Sequence, residues 1–216
     1  MDLFDIISLQ TNAQIYKNGV EFMYKLCKTE QSAQRQREIE KALLSALEKK
    51  NYQDITITEL CLTLHMPRKT FYRYFGSKDD ALYALIEHTM FDYSGFNQKS
   101  YEGIERTLQR EIYDFFNFWY ERRDFLDIFH RNGMLDKIIE VSVNFPIKDL
   151  VNLSKFLPND SEWARARIFK FAVCGLITSM IDWYKEGFKT NISDMVNISC
   201  RVLSQPLFPN LDRLGG

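Results

Sequence analysis

An all-α chain is the expectation, and three features of the 216 residues point to it. Apolar residues recur at i, i+3, i+4 and i+7 through almost every segment. Glycine and proline are scarce, at 9 and 5, which disfavours loop-rich β-sandwiches and Gly-rich nucleotide folds. No alternating run is long enough to make a convincing strand.

The elements follow in order. Residues 1–30 read as a partly ordered extension or as one short amphipathic helix through Ile15, Phe22, Met23 and Leu26. Residues 36–50 then place Ile39, Leu43, Ala46 and Leu47 on one apolar stripe. Lys49 and Lys50 suit its last turn, and Asn51 suits a left-handed end. Thr56 and Glu59 form a capping box, with Ile55 and Leu60 placed for a hydrophobic staple. That helix turns Leu60, Cys61 and Leu64 inward and stops before Pro67.

A short helix over about 67–74 starts at this proline, which the first helical turn tolerates. Ser77 and Asp80 cap the next helix, which runs through Leu82, Leu85 and Ile86 to about Phe91. Residues 104–121 are apolar nearly all round, so that helix should be central. Beyond a break at Asn132-Gly133, a helix over about 134–155 is kinked or divided by Pro146. The longest helix spans 161–186, followed by Gly187, a turn and a last helix over 192–204.

Composition narrows the function classes. With 28 basic and 29 acidic residues the net charge is −1, so any nucleic-acid surface must be a local patch. The 4 cysteines lack CxxC spacing, and the 3 histidines lack an i, i+4 partner, so neither a disulfide framework nor a metal site is expected. No nucleophile elbow, P-loop or dinucleotide fingerprint occurs, so an enzyme, a cofactor and a catalytic residue are not expected. The acidic start lacks a signal peptide's basic region, and the uncharged stretch 171–181 is too short to span a bilayer. A soluble, cytoplasmic protein without a membrane partner is the expectation.

The local patch exists. Two short helices joined by a three-residue turn, the second one basic, describe a helix-turn-helix. On the second, Phe71 and Phe75 share the inner face, Lys69, Tyr72 and Arg73 lie opposite, and Arg68 and Thr70 flank them. Between His65 and Lys78 stand four cations (Arg68, Lys69, Arg73, Lys78) and no acid. Such side chains reach phosphates and guanine edges, although a solvated basic helix has the same spacing.

The run ITELCLTLHMPRKTFYRYFGSKDDAL at 57–82, and above all Thr70-Phe71-Tyr72-Arg73-Tyr74-Phe75-x-Ser77-Lys78, resembles the DNA-binding domain of TetR-family transcriptional regulators. Residues 175–183 with Gly187 and the last helix look, more loosely, like that family's closing hairpin. Three departures stand out. His65 sits where the family usually has glycine, Pro67 replaces a capping serine, and Lys69 replaces a frequent glycine.

The resemblance implies an N-terminal three-helix helix-turn-helix domain over 31–78, then a larger helical ligand-binding and dimerisation domain over 79–216. It implies that Thr56 and Lys78 hold phosphate, with Arg68, Lys69, Thr70, Tyr72, Arg73 and Tyr74 in or beside the major groove of double-stranded DNA. It also implies a homodimer on a palindromic operator, joined through the last two helices. Ile168, Ala172, Gly175, Ser179, Met195 and Val202 are the candidate interface, with Phe171, Leu176, Ile198 and Leu203 adding apolar area; packing within one subunit is the alternative.

A small-molecule effector is implied too, with Tyr113, Phe116, Asn117, Trp119, Tyr120, His130 and Trp183 as candidate lining, or else as plain core. Asp182 is either a polar anchor there or the exposed side of its helix. The expected function is a dimeric repressor released by a small apolar or aromatic ligand. The alternatives are an activator and a protein-interaction adaptor on the same fold.

Overall fold

The computed structural model describes Tyr24, Cys27 and residues 29–100, 107–144 and 159–205, with backbone alone at 94–100 and 144. The expected helix through Ile15, Phe22, Met23 and Leu26 and the break at Pro146 lie outside these residues. Among the described residues every regular element is helical. A single antiparallel bridge, between Tyr24 and Phe75, stands apart from any strand.

Helix α1 spans Glu30–Leu47, six residues earlier in its start than the apolar stripe indicates, because Thr29 caps it by accepting from the Ser32 N–H at 3.2 Å. It ends at Leu47 on right-handed Glu48, and Asn51 has φ −65°, so Asn51 does not make the left-handed end expected of it. A short 3-10 turn, Tyr52–Asp54, leads to α2, Ile57–Thr63. Helix α3 is Arg68–Tyr72, with Pro67 at the N-cap rather than inside the first turn.

Helix α4 runs over Lys78–Ser100, past the end expected near Phe91. Its start is capped reciprocally: Asp80 accepts from the Ser77 N–H at 2.9 Å, and Ser77 Oγ accepts from the Asp80 N–H at 3.1 Å. Then come α5, Leu108–Glu121, α6, Arg123–Arg131, and α7, Leu135–Asn144. The last two are α8, Glu162–Lys185, capped by Ser161, and α9, Ile192–Ser204, capped by Asn191.

The chain divides into two compact units, residues 1–90 with 127–144 and residues 91–126 with 145–216. In the first, Ile39, Leu43, Ile55, Leu60, Phe71, Phe75 and Phe129 are buried. In the second, α5 packs against α9, and Ile112, Phe116, Phe118, Trp119, Met180 and Val196 are buried. Helix α5 is not apolar all round, because Tyr113 and Tyr120 are about 40% exposed on its outer side. Its wetted face still lets the rest bury a dense aromatic row. No helix of the described residues is long and apolar enough to cross a membrane.

Three helices end in the same way. At α2, the His65 N–H donates to the Leu62 carbonyl at 3.1 Å and the Met66 N–H to the Cys61 carbonyl at 2.9 Å, a Schellman motif. Gly133 after α6 and Gly187 after α8 occupy the same left-handed position, at φ +66° and +71°. His65 takes it at φ +48°, a conformation that glycine adopts without strain.

Candidate nucleic-acid interface

Helices α1, α2 and α3 pack in sequence order, α1 against α2 and α2 against α3, and form the helix-turn-helix. Its geometry is set locally. Thr56 Oγ1 accepts from the Glu59 N–H at 3.2 Å and fixes the start of α2. Glu59 does not reach back to complete the box; its carboxylate meets Lys50 Nζ at 2.5 Å. That ammonium holds the Glu59 carboxyl below its ordinary range.

The five-residue α3 is far too short to be stable alone, so its inner face holds it in place. Phe71 and Phe75 are essentially fully buried with ring centroids 5.6 Å apart. Opposite them Arg68, Lys69, Tyr72 and Arg73 are exposed and Thr70 is half-buried. The outward set derived from the helical wheel therefore lies on one accessible, acid-free face.

Both arginines of this face bond to a tyrosine. Arg68 Nη2 donates to the Tyr72 hydroxyl at 3.2 Å, one helical turn away, which raises the guanidinium pKa further. Arg73 Nη2 donates to the Tyr74 hydroxyl at 3.1 Å, and its guanidinium carbon lies 5.1 Å from that ring's centroid.

Tyr74 departs from its expected place on the DNA side. It is only 4% exposed, so its ring is core and meets DNA-side groups only through its contact with Arg73. The signal was present in the sequence: Tyr74 is three residues after buried Phe71, a spacing that shares the inner face. Lys78 is also drawn inward. Its ammonium donates to the Tyr52 carbonyl at 2.6 Å and the Ile55 carbonyl at 2.7 Å, and lies 4.1 Å from the Tyr52 ring centre. Desolvation lowers its pKa. These two carbonyls take two of its three donors.

The candidate effector lining is mostly core. Phe116, Trp119 and Trp183 are nearly fully buried, with Phe116 edge-on to Trp183 at 5.6 Å. Trp183 Nε1 donates to the Thr190 carbonyl at 2.7 Å, and its ring stacks on Tyr120 at 5.9 Å. Asn117 is half-buried, and His130 is exposed and belongs to the other compact unit. A cleft of about 250 Å³ in the second unit is lined by Thr107, Gln109, Arg110, Tyr113, Ser193, Val196 and Asn197. Of the expected set, only Tyr113 borders it. Asp182 is exposed and 4.0 Å from Lys185, the solvated side of α8.

The candidate interface residues fall on the outer sides of α8 and α9. Ile168, Gly175 and Val202 are exposed, while Ala172, Ser179 and Met195 are half-buried. Phe171 is 67% exposed, and Trp163 and Ile198 are exposed too.

Among solved structures the chain is similar to the dihydroxyacetone kinase operon activator DhaS, with a TM-score of 0.50 and 17% identity over 78% of this chain and 93% of that one. It is also similar to the fatty acid degradation regulator FadR from Bacillus halodurans, with a TM-score of 0.47 and 17% identity over 78% and 94%. At such identity the likeness speaks to the fold alone. No protein-family model matches the chain, nor does any curated protein.

Proposed function

We propose that this chain is a DNA-binding transcriptional regulator of the TetR type, reading a palindromic operator with residues 31–78 and acting as a homodimer. One observation carries the reading. A helix too short to stand alone is pinned by Phe71 and Phe75, so that Arg68, Lys69, Tyr72 and Arg73 form an exposed basic face without an acid. Exposed arginine and lysine match phosphates and guanine edges, and the N-terminal half of such a helix is what enters a major groove.

Dimerisation follows from the scale of the reader. One five-residue helix touches few base pairs, whereas two related by a twofold axis read both halves of a palindrome. The apolar outer sides of α8 and α9, with Ile168, Phe171, Ile198 and Val202 exposed, supply the self-complementary surface. Bound over a promoter, such a dimer represses by occlusion. The aromatic cluster around Trp183 is packed core, so the expected apolar effector finds little support in those rings. The cleft beside Tyr113 mixes Arg110 and Ser193 with apolar lining from Val196 and favours neither an apolar nor a hydrophilic effector.

The test is selection of genomic fragments on the purified protein at near-physiological salt, with Arg68→Ala/Lys69→Ala/Arg73→Ala as control. A palindromic motif enriched by the wild type and lost in the variant is the expected result. Equal recovery by both proteins would sink the reading and favour the adaptor alternative.

A further inference from the structure

Resting on that reading, we propose that Tyr74 is a positioning residue for DNA, a fixed platform that holds Arg73 ready for a backbone phosphate. Neighbouring side chains on a helix point apart, so an i, i+1 pair does not ordinarily meet. Here the helix ends first. Tyr72 is the last residue of α3 and right-handed Arg73 is its C-cap, so Arg73 and Tyr74 lie in the closing turn, where the Phe71 carbonyl accepts from both the Tyr74 and the Phe75 N–H. The Tyr74 N–H bonds to the Phe71 carbonyl at 2.9 Å, and the following residue, Phe75, bridges to Tyr24. The backbone on both sides of Tyr74 is thereby tied, and its ring is 4% exposed.

Arg73 meets that anchored ring in two ways, through the 3.1 Å hydrogen bond and the 5.1 Å approach of the guanidinium to the ring centroid. The bond uses one of five guanidinium donors and leaves the others for a phosphate. The Arg68–Tyr72 pair differs. Tyr72 is 48% exposed, so neither partner is fixed and the tyrosine is itself open to DNA. An arginine ordered before binding avoids most of the rotamer freedom that a free one loses at an interface. That advantage corresponds to roughly 3- to 10-fold in affinity.

The measurement is binding to a fluorescein-labelled duplex of about 40 base pairs of mixed sequence, at salt from about 50 to 300 mM. Arg73→Ala should flatten the log–log salt slope by about one unit, as loss of one phosphate contact does. Tyr74→Phe should weaken binding roughly 3- to 10-fold with the slope intact, and should have no effect when added to Arg73→Ala. Arg73→Lys leaves Tyr74 and its packing untouched. It keeps the charge but loses the planar fork, so it should match Tyr74→Phe in affinity and slope. Additive losses in the double variant, or Arg73→Lys binding like the wild type, would overturn the role of Tyr74. Failure of the wild type to bind the duplex at the lowest salt would overturn the DNA reading itself, and this inference with it.

Discussion

Asn132 accepts the backbone N–H of Tyr52 at 2.8 Å, joining residues 80 positions apart. The same amide donates to the Leu47 carbonyl at 3.3 Å and the Ile128 carbonyl at 2.8 Å. Leu47 is the last residue of α1 and Tyr52 opens the 3-10 turn, so one side chain serves two helix ends and the loop between them. The helix-turn-helix is thereby tied to the end of α6 within one compact unit.

Asn132→Ala removes all three bonds at a half-buried site. At about 1 kcal/mol net for each, the expected loss is about 2–3 kcal/mol. Thermal unfolding should therefore fall by roughly 4–12 °C. Asn132→Asp keeps the acceptor for Tyr52 but sets a carboxylate oxygen against the Leu47 and Ile128 carbonyls, so it should melt no higher than the alanine variant. An alanine variant that melts with the wild type would show that water replaces the amide at no cost.

What could be read from the sequence was what is local. Thr56 with Glu59 and Ser77 with Asp80 are caps because each pair lies three residues apart; the second formed both of its bonds and the first only the Thr56 half. The Phe71/Phe75 face is equally local, since wheel arithmetic needs only the helical period. Asn132 was legible as a chain break and no more, because its partners at Leu47 and Tyr52 are fixed by tertiary packing. Glu59 turned to Lys50 for the same reason. The rings at Phe116, Trp119 and Trp183 have the same periodicity whether they line a cavity or fill one, so pattern could not separate those outcomes.

Tyr52 makes stability depend on alkaline pH. Burial, and then the hydrogen bond from its hydroxyl to Asp79, raise its pKa above the ordinary 10.0. A raised pKa means that the native state keeps a proton the unfolded chain gives up. The contribution is thus complete below pH 10 and declines as pH rises beyond it. Tyr52→Phe has no such proton, so its melting temperature should fall less steeply than that of the wild type above pH 10. Parallel curves for the two proteins would refute the assignment.

His65 spends stability at the turn before α3. Its φ of +48° brings the side chain's β-carbon against the neighbouring backbone, a strain that glycine does not feel. Glycine's greater freedom in the unfolded chain offsets part of the relief. His65→Gly should therefore gain only about 0.5–1 kcal/mol, seen as a higher denaturant midpoint with an unchanged slope. His65→Ala, which keeps the strain, should show no gain. A glycine variant less stable than the wild type would mean that the imidazole makes a compensating contact.

The proposed dimer is expected to turn on Phe171. It lies three residues after Ile168 on α8, and both are exposed, at 67% and 44%. With Ile198 and Val202 of α9 also exposed, a twofold axis near Phe171 would bury this surface against its own copy. Phe171→Glu sets two carboxylates close to each other and to apolar surface at such an axis, at a cost in desolvation and mutual repulsion. The wild type should sediment at about twice the 25.6 kDa chain mass and the variant at the single-chain mass. On DNA the variant should lose operator affinity far more than affinity for unrelated sequence, because half-site pairing supplies the specific part. A wild type that sediments as a single chain at micromolar concentration would remove α8 and α9 as the interface and leave each reading head to act alone.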